Sequence, residues 1–387
     1  MIIPSLLALA VLSQPAPAEP PLIQPQGPLQ RGESVRHRMT ITTTINYPPS
    51  SGQGQAWTMP IIVTGPWSTL DATGFAVALK AGRDTVNIDA VESLEGPGDL
   101  GGGELRIDVP PVQTWPLQVQ VTATATVWSS VFDDAEAMAT PWPATWPAAV
   151  TSLLKAGPLI ESDAEVITAT VEALTKGNVR SVPPAQAAKL IVRDACNRFK
   201  VVDTSDSRMS LGPQGQVRGI GVQGARKAAE SGTGSPADLV CICVAMLRAA
   251  GLPARPVIGL GSAGYGRLTE YGVWAEVYLP ECGWTPFDPD VLRQQALGTL
   301  DPRNAWTGFG TLRQLQRRIP LAWSFGPLKV ATAYDAWAPW GWGRFLPAAN
   351  FPVEIVNGTV DTPSGPFTLD PQRPIPSSIR LERTGAP

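Results

Sequence analysis

The clearest pattern along the chain is an alternation of apolar and polar residues in its N-terminal third. Met39, Ile41 and Ile45 fall on one side of residues 38–47, and Arg38 falls with several threonines on the other. Residues 117–127 repeat the pattern, with Leu, Val and Ala alternating against Gln and Thr. A period of two is typical of a strand with one buried face. Both segments are therefore predicted to be half-buried strands.

Shorter strand candidates, separated by predicted turns, lie between these two strands in the sequence. They lie at residues 58–64, 75–79, 85–90 and 105–109. Gly- and Pro-rich pieces such as Gly96-Pro97-Gly98 separate them and favour turns. Several short strands at this spacing are typical of an antiparallel β-sandwich. We therefore predict an N-terminal β-sandwich domain over residues 31–130.

Beyond residue 150 the pattern turns helical. The segment 138–149, rich in Pro, Ala and Trp, is predicted to be a linker. Ser162 or Asp163 is suited to cap a helix that ends near Gly177, and Pro184 is suited to start another. A polar, Gly-rich stretch at 204–224 is predicted to be a loop.

The most strongly marked helix starts at Ser235-Pro236-Ala237-Asp238. Serine is a good helix cap, proline suits the first helical position, and Asp238 can return a hydrogen bond to the cap. Residues 239–247 are apolar all round, which predicts a helix buried in the core. Strands are predicted at 256–260 and 273–279, with a third starting near Trp284. The remaining residues, 301–387, are predicted to form a Trp- and Pro-rich C-terminal extension with few long elements.

Length and charge narrow the possible classes of protein. At 387 residues the chain is too long for one ordinary domain. Its net charge is −3, and only 16% of its residues are charged. This balance gives no electrostatic attraction to nucleic acid, so no nucleic-acid partner is predicted.

The first residues resemble an export signal. Residues 2–12 are almost continuously apolar, Ala16-Pro17-Ala18 supplies a small-x-small cleavage pattern, and no basic side chain precedes the apolar run. We predict a signal peptide at 1–18 and a secreted, periplasmic or cell-envelope protein. An apolar strand or a membrane-tethering helix is the alternative. No transmembrane span is predicted beyond this leader, because no other segment offers the ~20 apolar residues required.

Cysteine and histidine usage limits the chemistry. The four cysteines, Cys196, Cys241, Cys243 and Cys282, are too few for a disulfide framework in a chain this long. Cys241 and Cys243 are predicted to be core residues, because their C-x-C spacing in an apolar helix does not suit a zinc site. Neither a metal site nor a cofactor is predicted. His37, the only histidine, is predicted to be a solvated strand residue.

Three blocks of sequence between Ser235 and Asp290 resemble the transglutaminase-like superfamily, which has a papain-like α+β fold. Residues 247–255 read Leu-Arg-Ala-Ala-Gly-Leu-Pro-Ala-Arg, and residues 272–278 read Gly-Val-Trp-Ala-Glu-Val-Tyr. Residues 283–289 read Gly-Trp-Thr-Pro-Phe-Asp-Pro. The order and spacing of the blocks agree with the family pattern. The resemblance implies a transglutaminase-like core, which we place at 150–300.

The resemblance also implies a cysteine nucleophile at the helix start, a histidine base and an orienting aspartate. This chain has Pro236 at the nucleophile position, twelve residues before Arg248, and Gly272 at the histidine position, two before Trp274. Only Asp288 matches. The chain is thus identified as a degenerate member of the family that lacks the catalytic cysteine and histidine.

Other residues of the chain are poor substitutes for the missing pair. Cys241 lies five residues beyond Pro236, roughly 140° around the helix, so it points away from the cleft. Ser235 is better explained as the cap, His37 lies in another domain, and Asp288 is predicted to accept hydrogen bonds from backbone donors at a strand end. The vestigial cleft is predicted to comprise Ser235, Asp238, Trp274, Glu276 and Trp284. Packing is the favoured role of the two tryptophans, with ligand stacking as the alternative, and Glu276 faces either the cleft or solvent.

These features predict a pseudoenzyme with a binding or structural role, whose partner is a peptide, protein or polymer segment. Two other classes remain open. One is an enzyme with a non-standard nucleophile near Ser235 acting with Asp288, or with a carboxylate site at Asp288 and Asp290. The other is a structural or adhesion protein in which the sandwich and the C-terminal extension carry all binding.

Overall fold

The structure is a computed structural model of the full chain, and part of that chain is described here. The described residues are 24–45, 55–62, 64–87, 91–95, 103–110, 112–114, 117–202, 220–262, 269–295, 298, 300–325, 336–337, 341–344, 351–355 and 375–383. The predicted signal peptide and most of the predicted loop at 204–224 lie outside them.

The described residues form strands and helices that are numbered here in chain order. The strands are β1 Leu29–Ile45, β2 Gln55–Ile61, β3 Ser68–Ala81, β4 Asp84–Val86, β5 Val91–Glu95, β6 Gly103–Val109, β7 Leu117–Phe132, β8 Lys200–Val201, β9 Ile220–Gly221, β10 Thr233–Gly234, β11 Ala254–Ser262, β12 Thr269–Leu279, β13 Gly283–Phe287, β14 Arg318–Ala322, β15 Ala336–Trp337, β16 Gly341–Arg344, β17 Phe351–Ile355 and β18 Ile375–Arg383. The α-helices are α1 Asp134–Ala139, α2 Ala148–Thr151, α3 Glu165–Thr175, α4 Pro184–Arg198, α5 Ala225–Ser231, α6 Pro236–Ala249 and α7 Pro289–Arg293.

The N-terminal strands belong to one large sheet. Its order is β4-β3-β7-β1-β18-β17-β16-β2-β6-β5. Strands β1 and β7 pair antiparallel along most of their length, with Met39 opposite Ala123 and Ile41 opposite Val121. Met39 and Ile41 of β1 and the apolar residues of β7 from Leu117 to Val127 are buried in a shared core. The antiparallel strands are therefore as predicted, whereas their division into the two sheets of a sandwich is not confirmed.

Strands from the C-terminal extension complete both principal sheets. Strand β14 pairs antiparallel with β11 of the core, β18 pairs antiparallel with β1, and β16 with β2. The side chains of Ile319 and Leu321 join the same hydrophobic cluster as the N-terminal strands. The extension therefore contributes strands to both sheets and apolar side chains to the core of the N-terminal strands.

The position of His37 differs from the prediction. Its side chain is 4% exposed, and its Nε2 lies 2.8 Å from the carbonyl oxygen of Gln316. The prediction of a solvated histidine is wrong because the segment before β14 covers this end of β1.

The helical part of the chain begins with residues 138–149, which contact the core through two tryptophans. The predicted linker at 138–149 is tied down by two tryptophans: Trp142 Nε1 donates to the carbonyl of Val182, and Trp146 Nε1 donates to that of Gly251. Helix α3 then starts one residue later than predicted, because Ala164 is its N-cap and no side chain caps it. The predicted cap at Ser162 or Asp163 is therefore wrong.

Helix α6 is the centre of the core. Twelve of its fourteen residues are buried, from Ala237 to Arg248. The four-stranded antiparallel sheet β13-β12-β11-β14 packs against it through β11 and β12. Helices α3, α4 and α5 pack around it as well. This arrangement brings the first turn of α6 and the ends of β12 and β13 into one core.

Candidate functional site

The first turn of α6 is closed by a reciprocal capping box. Ser235 Oγ accepts a hydrogen bond from the Asp238 backbone N–H at 3.1 Å, and Asp238 Oδ2 accepts one from the Ser235 N–H at 2.9 Å. Ser235 Oγ also donates to the carbonyl of Gly221 at 2.6 Å. Ser235 is buried, and its hydroxyl uses its proton and a lone pair within the fold. The predicted cap is confirmed.

Asp238 also fastens the preceding chain to the helix. Its Oδ1 accepts from the backbone N–H groups of Gln223 at 2.7 Å and Gly224 at 3.2 Å. Burial raises the pKa of this carboxyl, and the backbone donors at Ser235, Gln223 and Gly224 oppose that shift. All of these partners are backbone or cap groups of the chain itself, so Asp238 acts here as a structural acceptor.

Pro236, which the sequence analysis places at the nucleophile position, is the first residue of α6 and is half-buried. Its side chain offers no nucleophile, donor or acceptor. Because proline lacks a backbone N–H, it also removes one of the free donors that a helix start normally presents to an anion. This helix start therefore presents neither a nucleophile at position 236 nor the full set of backbone donors.

Gly272, which the sequence analysis places at the histidine position, lies on β12 opposite Gly259 of β11. A Cβ built on Gly272 would meet only ring carbons of Trp274, at 3.8 and 3.9 Å, which is ordinary contact. A Cβ on Gly259 would instead overlap the Ile319 carbonyl and lie 2.8 Å from the Trp274 ring. Gly259 is therefore required for close packing, whereas Gly272 leaves space for a side chain.

Trp274 and Glu276 follow Gly272 on the same face of β12, since successive side chains of a strand alternate. Trp274 is 1% exposed and packs in the main core. Its Nε1 is buried and has no hydrogen-bond partner among the described residues. The packing role predicted for Trp274 agrees with this burial.

Glu276 forms a buried ion pair with Arg255. Arg255 Nη2 lies 2.7 Å from Glu276 Oε2, and the two side chains are 4% and 2% exposed. The guanidinium lies between two indoles, with its Cζ 3.9 Å from the Trp284 ring centroid and 3.8 Å from that of Trp323. Glu276 faces neither solvent nor a free cleft, and Trp284 stacks on an arginine of the chain.

Asp288 follows β13 and is 1% exposed. It is the N-cap of α7: Oδ1 accepts from the backbone N–H groups of Asp290 at 3.0 Å and Val291 at 3.3 Å. Its Oδ2 lies 2.6 Å from Nη2 of Arg318. The predicted role as an acceptor for backbone donors is confirmed, and Arg318 is a partner that the sequence did not indicate.

The remaining candidate nucleophiles are buried. All four cysteines are free and buried, and burial raises the pKa of Cys241 well above its usual value and that of Cys282 to about 12. Among the described residues, no group of three or more His, Cys, Asp or Glu side chains is placed to hold a metal ion.

A cavity of about 610 Å³ lies elsewhere, where the N-terminal sheet meets the core. None of the predicted site residues lines it. Its lining residues are Pro28, Gln30, Val131, Phe132, Asp133, Asp134, Ala135, Arg303, Asn304 and Ala305.

Comparison with known families agrees with the core described above. Residues 180–289 match the model of the transglutaminase-like superfamily. This range contains α4, α6 and strands β11 to β13, together with the positions of Pro236, Gly272 and Asp288. The chain therefore carries a transglutaminase-like core of mixed helices and antiparallel strands.

Three of the solved structures that match this chain share little sequence with it. A proposed cysteine protease from Cytophaga hutchinsonii is 13% identical, with a TM-score of 0.50 over 92% of this chain and 100% of that one. The periplasmic domain of TgpA from Pseudomonas aeruginosa is 15% identical, with a TM-score of 0.31 over 69% of this chain and 93% of that one. A proposed protease from Parabacteroides distasonis is 15% identical, with a TM-score of 0.25 over 62% of this chain and 41% of that one. Likeness to the first structure shows the fold alone.

Two further comparisons gave negative results. No curated protein matches the sequence. Within the described part of the chain, no helix has both the length and the apolar character needed to cross a bilayer.

Proposed function

We propose that this chain is a catalytically inactive transglutaminase-like protein that is exported and keeps the core as a scaffold for a binding or structural role. One observation carries the proposal. Of the three positions that the family uses for catalysis, Pro236 and Gly272 have no reactive group, and both oxygens of Asp288 are engaged by the fold.

The chemistry of acyl transfer explains why this observation matters. A cysteine nucleophile needs a base within hydrogen-bond reach, and a carboxylate to hold that base in the right tautomer. The chain contains one histidine, His37, which is buried beside the Gln316 carbonyl. No second histidine exists to serve as base.

The rival enzyme hypothesis requires Ser235 to act as a nucleophile. Its Oγ already donates to the Gly221 carbonyl and accepts from the Asp238 N–H, so attack on a substrate would break the cap of α6. Losing such a cap costs about 1 kcal/mol. These contacts favour a structural role for Ser235.

Turnover measurements test the proposal directly. The purified full chain is incubated with a fluorescent amine and glutamine peptides, and separately with protease substrates. We expect no product above the buffer rate. Product formation that disappears in Asp288→Asn would overturn the proposal. Asparagine keeps an oxygen for the α7 cap while it removes the negative charge.

A serine-reactive probe tests the rival hypothesis. We expect no labelling of the native protein. Labelling of the wild type that is absent in Ser235→Asn would support a serine enzyme, because asparagine also caps helices well but has no hydroxyl for the probe to label.

The proposed binding partner is a peptide, protein or polymer segment outside the cytoplasm. Export rests on the apolar run at 2–12 and on the cleavage pattern Ala16-Pro17-Ala18. Expression of the full sequence followed by N-terminal sequencing of the mature protein tests this part, and we expect the chain to begin at Glu19. A mature protein that retains Met1 would contradict export by cleavage.

A further inference from the structure

The two oxygens of the surviving carboxylate have different partners. Asp288 Oδ1 caps α7, whereas Oδ2 faces Nη2 of Arg318 at 2.6 Å. A histidine at position 272 would need an oxygen that the backbone does not already use. That oxygen is Oδ2, the one that the guanidinium holds.

Arg318 reaches Asp288 across a face of the sheet that carries glycines. Strands β13 and β14 are the two edges of the four-stranded sheet, with β12 and β11 between them. Arg318 pairs with Gly261, and Gly259 pairs with Gly272. These positions share a face because residues two apart on a strand point the same way. The guanidinium carbon lies 5.5 Å from the ring centroid of Trp274, the next residue on that face.

The ion pair is largely removed from solvent. The side chain of Asp288 is 2% exposed and that of Arg318 is 20% exposed. Arg318 Nη1 is also buried and has no hydrogen-bond partner within the described residues. Removing one partner of such a pair leaves the other as a buried, uncompensated charge.

We propose that Arg318 has replaced the histidine as the ionic partner of Asp288, which turns the remnant of a catalytic dyad into a structural clamp between the two edges of the core sheet. The inference rests on the proposed loss of catalysis, since it states what the surviving carboxylate now does. A guanidinium stays protonated at every physiological pH and therefore cannot act as the base that an imidazole provides.

The test introduces an imidazole and measures its proton affinity. We compare Gly272→His with Gly272→His/Arg318→Met by NMR titration of the ring protons. His37, the only native histidine, serves as the internal reference. Asp290, the neighbouring carboxylate, is paired with Arg293 at 2.7 Å in the native protein, and neither variant changes this pair.

Arg318 should determine whether the new imidazole can pair with Asp288. A free carboxylate beside an imidazole raises the pKa of the ring, and a nearby guanidinium opposes that shift. We therefore expect the introduced ring to bind its proton about tenfold more tightly when Arg318 is replaced, a shift of about one pKa unit. Equal pKa values in the two variants would overturn the proposal.

A double-mutant cycle covers the case in which the histidine variants do not fold. Asp288→Asn and Arg318→Met are compared singly and together in urea unfolding. We expect each single change to raise the unfolding equilibrium constant about tenfold or more, and the double change to cost little beyond the worse single one. Additive effects would contradict the clamp.

These outcomes are separate from those of the turnover assay. Turnover by the wild type would overturn the proposed function even if the coupling between Asp288 and Arg318 were confirmed. An uncoupled pair would overturn the clamp even if the wild type proved inactive.

Discussion

The buried pair Arg255–Glu276 offers the sharpest test of how the core is held together. Glu276→Gln keeps the shape of the side chain and removes its charge. Arg255 would then be a buried cation without a counter-ion, because its side chain is 4% exposed and the nearby Trp284 and Trp323 supply only ring faces. Breaking one side of a buried ion pair costs about 3–5 kcal/mol.

Burial sets the electrostatics of this pair. It lowers the pKa of Arg255 and raises that of Glu276, and the opposite charge of each partner counteracts the shift of the other. We therefore expect Glu276→Gln to lower the free energy of unfolding by about 3–5 kcal/mol, measured by urea unfolding followed by circular dichroism.

Two controls make the measurement decisive. Glu281→Gln changes an exposed carboxylate just after β12 and should stay within about 0.5 kcal/mol of the wild type. The double variant Arg255→Met/Glu276→Leu removes both charges and should recover much of the lost stability. A loss below about 1 kcal/mol in Glu276→Gln would refute the view that this pair is buried and uncompensated when broken.

Three other predictions concern single positions. Pro236→Cys should give one thiol that alkylates quickly in the native protein, counted by mass spectrometry, because position 236 is half-buried while all four native cysteines are buried; equal labelling of native thiols would contradict this. Gly259→Ala should lower the free energy of unfolding by about 2 kcal/mol or more through overlap with the strand β14 backbone, whereas Gly272→Ala should change it by less than about 1 kcal/mol; similar losses would argue against the strand packing. The hydrogen bond from Arg303 lowers the pKa of Asp301 to about 2. The stabilisation that this bond gives the folded state is therefore fully present above the usual pKa of 3.8 and is lost as the pH falls through about 2. In Arg303→Gln, carboxyl NMR should show the titration midpoint of Asp301 rising towards 3.8. An unchanged midpoint would refute the role of Arg303 in lowering this pKa.

Local features of the site could be read from the sequence. The capping box at Ser235 and Asp238 needs only residues three apart, so the motif itself specifies its geometry. Asp288 was predicted to accept hydrogen bonds from backbone donors at a strand end, and it does so as the N-cap of α7. The blocks at 247–255, 272–278 and 283–289 indicated the family because they keep their order and separation.

Partners that come from distant parts of the chain could not be read in this way. Arg318 lies in an edge strand whose place is set by sheet order, and nothing near it in sequence singles it out among the 30 basic residues. A buried carboxylate at Asp288 predicts some cation, but not which one. His37 was wrongly predicted to be solvated for the same reason, because the Gln316 carbonyl that it contacts lies 279 residues away in the sequence.

The organisation of the sheets was also beyond the reach of local patterns. Alternation predicted that β1 and β7 have one buried face, and it says nothing about which strands lie beside them. Strand β18 pairs with β1 through hydrogen bonds of the backbone, which any sequence can form. The contribution of the C-terminal extension to both sheets therefore emerges only from the structure.

The most direct test of the account is the rate of amine incorporation or peptide cleavage by the purified wild-type chain, measured beside Asp288→Asn under identical conditions. The account predicts that both rates equal the buffer rate, because no nucleophile–base pair remains at Pro236 and Gly272. A wild-type rate above the buffer rate that Asp288→Asn abolishes would contradict it.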